Sequence, residues 1–176
     1  MNRDIKNIAK EIDWFDFLSK LNNYYFEIDL DVKTWDDVVP KIFPKLYLFD
    51  RKFLENKQLA SLNGSPKEFD GDFDCDNNNL TTLEGGPIKV CGDFDCKWNE
   101  LASLKGASIE VGGGFYCSHN NLTSLEGSPR KVGEGFYCSN NNLTSLEGAP
   151  QKVGGDFACM YNNLTSLEGS PRKVGG

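Results

Sequence analysis

Phe115-Tyr116-Cys117-Ser118-His119-Asn120-Asn121-Leu122-Thr123-Ser124-Leu125-Glu126-Gly127 is followed, 21 residues on, by Phe136-Tyr137-Cys138-Ser139-Asn140-Asn141-Asn142-Leu143-Thr144-Ser145-Leu146-Glu147-Gly148. Working outward, the same period carries two leucine columns, from Leu59 to Leu164 and from Leu62 to Leu167. A glycine column runs from Gly64 to Gly169, and an apolar column holds Phe69, Val90, Val111, Val132, Val153 and Val174. Five units also pair a phenylalanine with a cysteine two residues later, from Phe73/Cys75 to Phe157/Cys159. A fixed period of this length means stacked turns, because one turn alone cannot cover its apolar side chains.

Phe and Cys at i and i+2 face one side of an extended segment. Parallel strands from successive turns then stack about 4.8 Å apart. The leucine and valine columns close the core behind those strands, and Gly and Pro make the bends. A unit of 21 residues is short, so turns or 3₁₀ pieces are expected opposite the strand.

The unit F-x-C-x-x-N-x-L-x-x-L fits the leucine-rich-repeat pattern L-x-L-x-x-N-x-L-x-x-L, with Phe and Cys in the strand positions. Residues 59–176 therefore resemble the short-unit leucine-rich-repeat family, particularly versions from bacteria and their phages. The resemblance implies an α/β repeat solenoid with a parallel β-sheet on its concave face, and a protein-binding role without a reaction. The array holds five full units and a partial sixth.

Residues 1–58 lack the period and read as a small α+β capping region. Ile5, Ile8, Ile12 and Phe15 have helical spacing within 4–21. Phe26, Ile28, Leu30 and Val32 alternate with acids, as in a strand, and Thr34 suits a helix N-cap. A solenoid end needs such a cover.

The chain of 176 residues has a formal net charge of −7. That charge repels phosphate and argues against a nucleic-acid partner. No run of apolar residues is long enough to cross a membrane, and the N-terminus does not read as a signal peptide, so a cytoplasmic setting is expected, in a host or a virion if phage-encoded. Asn79, Asn121, Asn142 and Asn163 begin glycosylation sequons that follow from the repeat itself. No catalytic motif is present: there is no G-x-S-x-G, no H-E-x-x-H and no phosphate-binding glycine loop. His119, the single histidine, has no nucleophile beside it, because Cys117 should point inward.

Two columns read as structural. Cys75, Cys96, Cys117, Cys138 and Cys159 should be packed, reduced thiols, since stacked strands hold their Cβ vectors parallel and disfavour a bridge. Cys91 falls outside that ladder and should be more exposed. Asn78, Asn99, Asn120, Asn141 and Asn162 should bond to the backbone of adjacent turns.

The positions flanking Phe and Cys should face outward and form the candidate site. They begin acidic, with Asp72, Asp74, Asp76, Asp93 and Asp95, and become aromatic, with Trp98, Tyr116, His119, Tyr137 and Tyr161. Carboxylates followed by aromatic anchors suit a protein or peptide with a basic segment. Asp72, Asp74, Asp93 and Asp95 offer hard oxygen ligands, but an EF-hand loop is lacking; Cys91 and Cys96 lack a second zinc half-site. No metal and no cofactor is expected. The function expected is a non-enzymatic interaction module. The alternatives are a structural or adaptor subunit of a larger assembly, such as a phage particle, or a phage-type inhibitor that occludes a host protein. The strand at Phe157–Cys159 should form an open edge, where self-association or a partner is expected.

Overall fold

The computed structural model describes residues 58–176 apart from 64 and 66. The expected cap, with its helices and strand, lies outside the described residues apart from Gln58. Each turn of the array contributes two short strands. One set is β1 (Glu68–Phe69), β3 (Lys89–Val90), β5 (Glu110–Val111), β7 (Lys131–Val132), β9 (Lys152–Val153) and β11 (Lys173–Val174). The other is β2 (Phe73–Asp74), β4 (Phe94–Asp95), β6 (Phe115–Tyr116), β8 (Phe136–Tyr137) and β10 (Phe157–Ala158). They form two parallel sheets, here the valine sheet and the phenylalanine sheet. Every rung pairs equivalent residues of neighbouring units, as Phe94 with Phe115 and Val90 with Val111. The described residues thus form a parallel β-solenoid with one turn per 21-residue unit.

The core is the set of columns read in the sequence. Leu80, Leu83, Phe94, Cys96, Leu101, Leu104, Phe115 and Cys117 are wholly buried or nearly so. The phenylalanine rings stack along the axis, from Phe94–Phe115 at 5.2 Å between centroids to Phe136–Phe157 at 5.5 Å. Burying such a ring contributes about 1.5–3 kcal/mol, so this column alone is a large part of the driving force. On the last described turn the packing thins: Phe157, Cys159 and Leu164 are half-buried and Leu167 is exposed. β10 and β11 are the outermost strands there, so the edge expected at Phe157–Cys159 is an edge among the described residues.

The turns expected opposite the strands are present, while the helix of an α/β class is absent from the described residues and a second sheet is added. The described residues contain no α-helix and no 3₁₀ helix. After each second leucine the chain makes the expected turn, of four residues, as where Ala107 N–H donates to Leu104 C=O at 2.9 Å. The residue at its third position, Gly106, has φ = 88°. That conformation suits a type II turn and cannot continue a right-handed helix. The valine column, expected only to close the core, builds the second sheet: Gly112 N–H donates to Val90 C=O and Gly133 N–H to Val111 C=O.

The asparagine column holds successive turns in place. Asn120 Oδ1 accepts from Leu101 N–H at 3.0 Å, and its Nδ2 donates to Cys96 C=O and Cys117 C=O at 3.0 and 3.2 Å. Asn78, Asn99, Asn141 and Asn162 repeat this pattern where a turn precedes them among the described residues. One amide thereby satisfies backbone groups of two turns that would otherwise be buried and unpaired.

Candidate functional site: the outer face of the phenylalanine sheet

The residue between Phe and Cys projects from the sheet while its neighbours face the core. Asp74, Asp95, Tyr116 and Tyr137 therefore form one outward row, all half-buried. The row before it holds Asp72, Asp93, Gly114, Gly135 and Asp156, and the two rows are coupled. A Cβ on Gly114 or Gly135 would lie 2.8 or 2.4 Å from the ring of Tyr116 or Tyr137. Each tyrosine thus lies back across the glycine of its own turn. Tyr116 and Tyr137 stack on each other, with centroids 4.9 Å apart and planes 8° from parallel. Burial raises the Tyr116 phenol pKa, and the carboxylates of Asp93, Glu134 and Asp95 and the phenol of Tyr137 add to the shift.

The acidic half separates into two roles. Asp72 Oδ1 accepts from Asp93 N–H at 2.9 Å, and Asp93 Oδ1 accepts from Gly114 N–H at 2.7 Å. These two side chains bind the backbone of the next turn. The carboxylates brought together are Asp74, Asp76 and Asp95, whose oxygens lie within 4.8 Å of one another. The acidic grouping therefore takes in Asp76, while Asp72 and Asp93 are engaged with backbone. Asp74 is pushed up to about 7, first by burial and then by the charges of Asp76 and Asp95, against a lowering hydrogen bond from Asp76 N–H. Lys97 Nζ sits 2.8 Å from Asp95 and 5.4 Å from the centre of the Tyr116 ring. Burial works against its ammonium, but the hydrogen bond and charge of Asp95 outweigh that and raise its pKa. Carboxylates, a cation and stacked phenols thus meet at the middle of the array.

The third outward position was expected to face solvent in every turn. Ser118 and Ser139 are instead buried. Their hydroxyls are short enough to bond the backbone of the next turn: Ser118 donates to Tyr137 C=O, and Ser139 accepts from Met160 N–H.

At the rim beyond the cysteines, Asn77, Trp98, His119, Asn140 and Tyr161 form one column, with φ between 51° and 56°. This left-handed conformation is ordinary for Asn and unfavourable for bulky side chains by about 1 kcal/mol or more. Trp98 and Tyr161 occupy it nevertheless, 55% and 78% exposed. The indole of Trp98 stacks on the His119 ring at 3.8 Å and 8°. Asn140 Nδ2 lies 3.4 Å from His119 Nε2. Tyr161 stands on the last described turn and is not part of that stack. The left-handed rim, the tyrosine-over-glycine packing and the backbone bonds of Asp72 and Asp93 are the features that periodicity alone missed. Asn at two of the five rim positions was the available signal for the first.

The four buried thiols are held out of chemistry. Cys75, Cys96 and Cys117 are fully buried, and burial pushes their pKa values well up. The Cys138 thiol is pushed up to about 12 by the same cause. Cys159 is half-buried, Cys91 is exposed, and all six are free thiols.

No family model, no curated protein and no solved structure matches this chain. No described helix is long and apolar enough to cross a membrane.

Proposed function

We propose that the chain is a non-enzymatic binding module of leucine-rich-repeat type, taking a protein or peptide with a basic, partly apolar segment across the outer face of the phenylalanine sheet. The observation that carries this reading is the rim. Trp98 sits in a backbone conformation that an indole disfavours, largely exposed and stacked on His119. Strain of this kind, held on an exposed surface, supports a site rather than a packing role. Large, flat, half-exposed side chains lose little conformational entropy on contact and are the usual anchors of interfaces. The Asp74, Asp76 and Asp95 carboxylates beside them suit lysine or arginine of the partner.

The neighbouring turns supply the control variant. Asn77 and Asn140 occupy the equivalent rim positions, so Trp98→Asn with His119→Asn keeps the backbone preference and removes the rings. Peptides selected from a random display library on the parent protein are expected to carry Lys or Arg next to an apolar residue. The double variant should bind them at least about tenfold more weakly, the effect of losing an aromatic anchor, with its melting temperature no lower than the parent's, since Asn accepts the left-handed rim conformation. Equal affinity for parent and variant would refute the assignment.

A further inference from the structure

The outward positions of the valine sheet form a continuous column in register: Glu68, Lys89, Glu110, Lys131, Lys152 and Lys173. The first four rungs alternate in sign, as cross-strand stability favours. The last three do not: Lys131, Lys152 and Lys173 stand directly opposite one another, all exposed. Arg130 and Arg172 lie immediately before two of them and are also exposed. Like charges on adjacent rungs destabilise a sheet, and no ion pair among the described residues offsets these five. On the adjoining rungs Ile88 and Ile109 are 47% and 50% exposed, joined through the bond from Ile109 N–H to Ile88 C=O. These turns thus expose an apolar pair at the entry to the valine sheet and then a ladder of cations, in the segment that precedes the tyrosine row of each turn.

We infer that this face of the valine sheet is a second docking surface, whose occupant is an acidic peptide segment of a partner protein, extended along the solenoid axis with an apolar residue on Ile88 and Ile109. Rungs about 4.8 Å apart place Lys131 and Lys173 about 10 Å from each other. An extended peptide presents alternate side chains about 6.7 Å apart, so two or three carboxylates fall within reach of the flexible lysines. The net charge of −7 disfavours nucleic acid and anionic membrane, whose phosphates would meet the field of the whole chain. A short acidic peptide carries fewer and more local charges than a nucleic acid or a vesicle surface, so it meets less of that repulsion and mainly the local ladder.

Lys152→Glu tests this, because it restores alternation across Lys131, Glu and Lys173. A purely structural ladder and a binding ladder predict different results. The probe is a fluorescein-labelled peptide of alternating Glu and Ser with Leu at one end, titrated into the full chain at low salt, beside oligo-dT and phosphatidylserine vesicles. The peptide should bind in a salt-sensitive way, and Lys152→Glu should weaken it about tenfold while raising the melting temperature. Ile109→Ser should weaken it further without changing its salt dependence. Unchanged peptide affinity in Lys152→Glu would overturn the proposal. So would absence of peptide binding, preferential binding of oligo-dT or vesicles, or a Lys152-dependent self-association that makes a second copy the occupant.

Discussion

Asp74 and Tyr116 occupy equivalent positions, and the residue two places earlier decides which can be held there. Gly114 lets the Tyr116 ring fold back over the backbone. Asp72 leaves no such room and uses its carboxylate on the next turn. Two carboxylates, Asp76 and Asp95, then crowd around Asp74, which has a consequence for pH. Its pKa is raised by burial and by Asp76 and Asp95 to about 7, from an unfolded value of 3.8. The folded state therefore binds this proton more tightly than the unfolded state. Its stabilising effect is complete below about pH 4 and is lost as pH rises through 7. Asp74→Asn removes that dependence. Melting temperatures between pH 4 and 8 should fall more steeply for the parent than for Asp74→Asn, with the variant the more stable at pH 8. Superimposable profiles would show that Asp74 ionises normally.

At the scale of one turn, the asparagine amide links what the two sheets leave open. Asn120 serves backbone groups of two turns and is almost wholly buried. Asn120→Ala should cost about 1–3 kcal/mol, the penalty for buried groups left unpaired. Asn162→Ala should cost less, since its amide is half-exposed on the last described turn. Urea unfolding of the two variants checks the order; equal losses would mean that the ladder is not what holds the turns. The core columns and the asparagine ladder were legible because strict spacing forces equivalent residues into equivalent places. The second sheet was less so: two residues such as Lys131-Val132 carry almost no strand periodicity, and pairing with the turns on either side makes them a strand. The helix-free corner depends on one torsion at glycines such as Gly106, which a column of glycines suggests without specifying. In the site, the outward row was readable from alternation. The roles within it were not, because Asp93 and Asp95 differ in the partner each finds: a backbone N–H of the following turn, at Gly114, for one, and Lys97 of its own turn for the other.

Across the whole molecule, the solenoid turns a one-dimensional pattern into two differently charged faces. Substitutions at outward positions leave the core columns untouched, so acids and aromatics can collect on one sheet and lysines on the other. The Asp95–Lys97–Tyr116 contacts join the acidic turns to the aromatic ones, and Trp98 with His119 borders them. The central claim is that a basic, partly apolar peptide is taken by this face. The most direct measurement is NMR of isotope-labelled protein titrated with a peptide selected as above, following backbone amides and the Trp98 indole N–H. The account predicts shifts concentrated at Asp95, Lys97, Trp98, Tyr116, His119 and Tyr137, with the valine-sheet amides of Lys131 to Lys173 unmoved. Saturating peptide that leaves the Trp98 indole and the tyrosine row unshifted would contradict it.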